Sequence, residues 1–205
     1  MKEALALAAR QRPLDVGILL FPEVEVLDFA GPFEVFSVAA RLAARGGGHV
    51  PFQVRTFAKE ARVRARHGLE VMPSATLEDF PADIVIIPGG VVDAAMKDAA
   101  LLDWIATASR RSMLTASVCT GAFLLAQAGV VSGTVTTHWE DIPDLRTAFP
   151  HLTVMENVPF VDQGNIVTSA GISAGIEMSL YLVGEILGSK AAAQTARQMQ
   201  YNWIP

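Results

Sequence analysis

One cysteine, Cys119, stands in the segment Thr115-Ala-Ser-Val-Cys-Thr-Gly-Ala-Phe-Leu-Leu-Ala126, between an apolar run of strand type and an apolar run of helix type. A sharp strand-to-helix turn of this kind lifts a reactive side chain above the carboxyl edge of a sheet. The first free helical N–H groups, at the positive end of the dipole, then favour a thiolate and can hold negative charge that develops on a substrate. The competing reading is a packing cysteine, the usual fate of a free thiol. Pro88-Gly89-Gly90 follows another apolar run, and its glycines let backbone N–H groups approach a ligand, so Gly89 and Gly90 can complete an oxyanion hole beside Cys119; an ordinary strand-to-helix turn has the same pattern. Asp28, within Phe21-Pro-Glu-Val-Glu-Val-Leu-Asp-Phe-Ala-Gly-Pro32, falls in the loop or first helical turn after the first strand. Ligands of open α/β sheets bind at that edge, so Asp28 can share a crevice with Cys119 and there position water or carry a proton. Capping the helix is its alternative use, and Glu23, Glu25 and Glu34 are competing carboxylates expected to be solvated.

The elements that must position these residues are legible as an alternation. Apolar runs over residues 14–21, 84–87 and 113–118, with 52–57 beside them, read as strands, and the uninterrupted apolar character suggests cover on both faces. Helical stretches are predicted over 27–44, 94–110, 122–128, 172–187 and 190–201. Strands alternating with helices imply βαβ units and a mainly parallel sheet. Two weaker segments read as hairpins decorating that sheet: 62–72, turning at His67-Gly68, and 159–168, turning at Gln163-Gly164-Asn165. Within the helix predicted from Ile172, the residues Ile172, Ile176, Leu180 and Val183 recur at the spacing of a core stripe. Residues 1–13 form an N-terminal extension, either a helix or a disordered tail, and 14–205 a single domain.

A chain of 205 residues that is 51% hydrophobic and 18% charged can bury a large core. Its net charge of −5 and the lack of a basic cluster beyond the scattered stretch 59–66 argue against nucleic acid and for a small-molecule partner. A single cysteine forms no internal disulfide, which suits a reducing compartment, and the start is too short and too charged for a leader or a membrane span, so a cytoplasmic protein is expected. His49, His67 and His151 show no ligand spacing, so no metal site is expected.

Together, Pro22-Glu23 with Leu27-Asp28 and Gly31-Pro32, Ile87-Pro-Gly-Gly90, Ser117-Val-Cys-Thr-Gly121, Thr136-Thr-His-Trp139 and Ser169-Ala-Gly-Ile-Ser-Ala-Gly-Ile-Glu177 resemble the DJ-1/PfpI superfamily, and within it the isocyanide hydratase branch. The resemblance implies a flavodoxin-like three-layer α/β sandwich of the class I glutamine amidotransferase-like type, usually a homodimer. It also implies Cys119 as nucleophile, Asp28 as the acid/base residue and Thr120 as a hydrogen-bonding neighbour, and it places the helix after Ser169-Ala170-Gly171 beside the cysteine, with Ile172 lining the pocket instead of joining the core stripe. Protease-like members carry a histidine directly after the cysteine; Thr120 stands there, which argues against peptide hydrolysis. His138 can substitute from its own loop or be a structural histidine at a turn. Trp139 suits a pocket for a substrate's R group, a buried anchor or a dimer contact equally.

The expected reaction is hydration of an isocyanide to an N-substituted formamide through a covalent thioimidate on Cys119, without a cofactor, with the Gly90 and Thr120 amides holding developing charge. The same motifs resemble the amidase-like sensor domain of AraC-type regulators, which continue into a helix-turn-helix region. This chain stops at Pro205 without a basic recognition helix, so a regulator fragment is the non-enzymatic alternative. A redox sensor or glyoxalase-like protein also uses an activated thiol.

Overall fold

A computed structural model describes residues 2–79 and 82–204. In chain order the elements are α1 (Lys2–Ala9), β1 (Leu14–Leu19), α2 (Val26–Arg45), β2 (Phe52–Ala58), β3 (Val63–Arg64), β4 (Glu70–Val71), β5 (Ala75–Thr76), β6 (Ile84–Ile87), α3 (Ala99–Arg111), β7 (Leu114–Val118), α4 (Gly121–Gln127), β8 (Thr134–Val135), α5 (Ile142–Ala148), β9 (Thr153–Val154), β10 (Phe160–Asp162), β11 (Ile166–Ser169), α6 (Ala174–Leu187) and α7 (Ser189–Gln198). Met1, of the N-terminal extension, and Pro205, where the chain stops, lie outside the described residues.

The central sheet runs β10-β11-β7-β6-β1-β2-β5, with every neighbouring pair parallel except β10 with β11. β1 and β6 are buried on almost every residue, which explains why they read as unbroken apolar runs. Helices gather in two groups, α1, α2, α6 and α7 in one and α3 with α4 in the other, and they flank the sheet in a flavodoxin-like sandwich. Phe36 of α2 meets Phe52 of β2 edge to face, ring centroids 5.0 Å apart. From β1 the chain moves outward to β2 and then crosses to β6 on the other side of β1. That reversal of strand order is where an open α/β sheet leaves a crevice at its carboxyl edge, and the segments after β1, β6 and β7 all end there.

Several elements differ from the sequence expectation. The segment 159–168 does not decorate the sheet: β11 pairs in parallel with β7 as an inner strand, and only β10 folds back on it. The helix predicted over 94–110 is two pieces, a single turn at Ala95–Lys97 and then α3, because Asp98 takes an extended conformation and accepts a hydrogen bond from the Leu101 amide as its N-cap. The hairpin over 62–72 is observed as β3 and β4, with His67 in the left-handed conformation at its turn. The start of the chain is helical: α1 buries Leu5 and Ala9, and Lys2 bonds Asp162 and the Tyr181 hydroxyl. Among the described residues no helix is long and apolar enough to cross a membrane.

Candidate active site

Cys119 leaves β7 at φ 57, a left-handed conformation that a residue with a Cβ rarely adopts, so the side chain is turned sharply off the strand. Strain of this kind, of the order of 1–3 kcal/mol, persists only where the surroundings hold it. Here the Cys119 amide donates toward the carbonyls of Ser169 and Ala170 at 3.3 and 3.2 Å, while its carbonyl accepts from the Thr137 hydroxyl at 2.8 Å. The residue is only 7% exposed, so the thiol is buried as well as poised.

The segment that carries Asp28 is clamped at both sides. Glu23 donates to the Arg64 carbonyl and Arg66 to the Val24 carbonyl, while Glu25 donates to the Gly89 carbonyl and Val91 to the Glu23 carbonyl. Asp28 therefore enters in the first turn of α2, with Glu25 and not Asp28 at the N-cap. Its side chain is fully buried; Oδ2 accepts the Gly89 amide at 2.9 Å, and Oδ1 takes no hydrogen bond of ordinary geometry. Burial pushes the carboxyl up to about 7, assisted by the charge of Glu25 and opposed by the Gly89 amide, the Cys119 thiol and the Ile172 amide.

Burial and then the Asp28 charge push the Cys119 thiol up to about 12, against the pull of the Thr120 and Ile172 amides. The elbow amides pull toward the thiolate, but burial, the largest influence, outweighs them, and the Asp28 charge adds to it. The two groups form one pair that shares protons. Moving the pair's proton from sulfur to carboxyl removes the repelling charge and leaves a carboxyl donor facing a thiolate.

The amides sort differently from the sequence expectation. Gly90 donates its N–H to Thr120 Oγ1, whose hydroxyl in turn donates to the Gly90 carbonyl, both at 2.9 Å, and Gly89 is committed to Asp28. Neither glycine has an amide to spare for an oxyanion; they align Asp28 and Thr120 instead. The donors that face the sulfur belong to Thr120 and Ile172. Ile172 lies outside α6, two residues before its start, at φ 54. A β-branched side chain in that conformation is a true outlier, and it turns the amide inward while the side chain, 38% exposed, lines the cavity.

That cavity, of about 300 Å³, opens on Cys119 and is lined by Gly90, Thr120, Ile172, His138 and a charged rim of Glu25, Arg66, Glu140 and Asp141. Arg66 Nη1 lies 3.1 Å from Glu25 Oε2, and His138 Nδ1 3.1 Å from Asp141 Oδ2. His138 packs so closely on Gly171 that any side chain there would collide with the imidazole. Of the residues singled out from sequence, Cys119, Asp28, Thr120, Gly89, Gly90, Ile172 and His138 meet at this site. Trp139 does not: its indole is 72% exposed and borders a separate depression beside Ile142, Pro143 and Glu156, so it is not a buried anchor within this chain. The rim residues Glu25, Arg66, Glu140 and Asp141 were not anticipated, apart from Glu25 as a solvated carboxylate and Arg66 in a scattered basic stretch.

A flavodoxin-like sheet with a cysteine on the strained turn after an inner strand defines a class of α/β proteins with a thiol at the switch-point crevice. Residues 15–185 match the DJ-1/PfpI family, and the chain belongs to that family. It is 34% identical over 196 residues to an isonitrile hydratase of Pseudomonas putida, covering 94% of this chain and 80% of that one. It is also 28% identical over 197 residues to the HTH-type transcriptional regulator GbdR of Pseudomonas aeruginosa, covering 95% of this chain and 52% of the regulator, so it spans about half of that protein's length. A solved THiJ/PfpI family protein from Pseudomonas syringae superposes with a TM-score of 0.81 at 26% identity, over 95% of this chain and 77% of that one.

Proposed function

We propose that the protein is a cysteine-dependent isonitrile hydratase. The observation that carries the reading is the fully buried Asp28, held by the Gly89 amide, with its carboxyl pushed up to about 7 beside the Cys119 thiol. A carboxyl so tuned can give and take a proton near neutral pH. The likeness to an isonitrile hydratase over almost the whole chain supports the same chemistry.

With its proton on Asp28, the pair offers a thiolate that attacks the terminal carbon of R–NC. As the C–S bond forms, Asp28 delivers its proton to that carbon, giving the thioimidate R–N=CH–S on Cys119. The Asp28 carboxylate next takes a proton from a water adding to the same carbon, and passes it to nitrogen. Collapse returns the electron pair of the C–S bond to sulfur and the hydroxyl proton to Asp28, releasing R–NH–CHO. Dividing the hydration into two additions is the gain of covalent catalysis. Thr120 and Ile172 amides hold the thiolate at the start and as leaving group.

Rapid acid quench of the protein with cyclohexyl isocyanide is expected to show a mass increase equal to one isonitrile, located on Cys119. Cys119→Ala should show none; an adduct that survives in that variant assigns the nucleophile to another residue. The likeness to GbdR favours a second reading, the ligand-sensing portion of a regulator. That reading is preferred if the isonitrile binds reversibly and leaves the thiol unmodified.

A further inference from the structure

The walls of the cavity over Cys119 do not suit an alkyl group. Among the lining residues Ile172 alone contributes a large apolar side chain, while Glu25, Arg66, His138, Glu140 and Asp141 contribute charged or polar ones. An alkyl substituent seated there would strip water from carboxylates and a guanidinium and give them nothing to bond. The charges also do not cancel. Three carboxylates stand against one guanidinium, and negative charge is in excess even when His138 is protonated. Arg66 is already matched to Glu25 at 3.1 Å and His138 to Asp141 at 3.1 Å, which leaves Glu140, 4.0 Å from His138, as the surplus. Beside Cys119 the buried Asp28 has an oxygen without a hydrogen-bond partner among the described residues, and in the proposed reaction it turns anionic once its proton has gone to the substrate carbon. An anionic substituent could reach Arg66 only by displacing Glu25, whose charge would then stand uncompensated beside it.

We infer that the substituent on the preferred substrate is an organic cation, an ammonium group seated among Glu140, Asp141 and Glu25. The inference rests on the hydratase reading and names its substrate class. A positive group there completes the rim's charge balance and is drawn toward the cavity before contact, an attraction that weakens as salt screens it.

The test compares kcat/KM for three isonitriles: 2-isocyanoethyl-trimethylammonium, cyclohexyl isocyanide and isocyanoacetate. The ammonium compound is expected to exceed isocyanoacetate by roughly tenfold or more at low salt. Because the three differ in intrinsic reactivity, the ratio in Glu140→Gln is decisive, and it is expected to fall by roughly threefold, the scale of a partly exposed charge pair. Preference for isocyanoacetate or the cyclohexyl compound, or a ratio unmoved by Glu140→Gln, overturns the proposal. Should none of the three be hydrated, the hydratase reading fails separately, and the charge preference is read from the thiol itself. Cys119 then forms a mixed disulfide with the cationic 2-aminoethyl or the anionic 2-sulfonatoethyl methanethiosulfonate, methanesulfinate leaving in each case. Relative to a free thiol the cationic reagent should lead by roughly tenfold; equal or reversed rates overturn the inference.

Discussion

Asp28→Asn is expected to lower kcat/KM for an isonitrile by roughly 10²- to 10⁴-fold and, at the same time, to make the fold more stable at pH 8. An asparagine keeps the oxygen that accepts the Gly89 amide and keeps the volume, but neither delivers a proton to the substrate carbon nor takes one from water. The stability gain follows from the raised carboxyl. Between the ordinary unfolded value, about 4, and the folded value of about 7, the native chain holds a proton that the unfolded chain has released. Stability conferred by the protonated Asp28 is therefore complete below about pH 4 and lost as pH rises through about 7. The ceiling is about 4 kcal/mol, and relaxation around the buried group makes about 1–3 kcal/mol the expected gain of the variant at pH 8. Urea unfolding at pH 5 and pH 8, with turnover measured on the same samples, checks both halves. Full activity, or the wild-type dependence of stability on pH, removes Asp28 from the proposed role.

Gly89→Ala is expected to damage the site from the backbone side. A Cβ at position 89 would lie 2.5 Å from both the amide nitrogen and the hydroxyl of Thr120, and 3.0 Å from Asp28 Oδ2. Backbone stands on one of those sides and short, hydrogen-bonded side chains on the other two, so the loop after β6 must move and take with it the amide that holds Asp28. Overpacking of this sort costs about 1–3 kcal/mol, and displacing a reacting group by about 1 Å costs roughly 10²-fold in rate. Gly184→Ala, whose new methyl meets Ala192 Cβ at an ordinary 3.5 Å, is the matched control and should leave both quantities close to wild type. If Gly89→Ala behaves like that control, the close approach at Gly89 has no part in aligning Asp28.

The sequence made the outline of the site readable because each part of it interrupts an apolar run. Cys119 follows β7, Pro88-Gly89-Gly90 follows β6, and Asp28 comes after β1; a short unbroken apolar run marks a strand covered on both faces, and the residues at its end sit at the carboxyl edge. Harder to read were the partners of each backbone group. Gly89 and Gly90 invite an oxyanion hole by residue type, yet Asp28 Oδ2 and Thr120 Oγ1 take their N–H groups. Of the two donors that face the sulfur, the Thr120 amide follows from the elbow, but the other belongs to Ile172, a residue type among the least suited to φ 54, so composition gives no hint of it.

The rim was hidden for a different reason. Arg66 reaches the cavity because its amide bonds Val24, and Glu25 because its amide bonds Gly89, contacts between segments some 40 and 60 residues apart that no local pattern reports. Short elements escaped likewise: β8 and β9 hold two residues each and exist only by pairing with one another. Helix α5 buries just Ile142 and Leu145, too few to print a helical period. Trp139, which residue type alone reads equally as pocket wall, buried anchor or dimer contact, is exposed beside another depression, so within this chain it is neither a wall of the Cys119 cavity nor a buried anchor.

The most direct measurement is steady-state hydration of cyclohexyl isocyanide by the wild-type protein and by Cys119→Ala, with N-cyclohexylformamide detected as product. Formamide from wild type, and none above the uncatalysed rate from Cys119→Ala, is the result expected of a thiolate working with Asp28. Equal formamide from both proteins, or none from either under conditions where the 2-isocyanoethyl-trimethylammonium compound is also left unchanged, would contradict it.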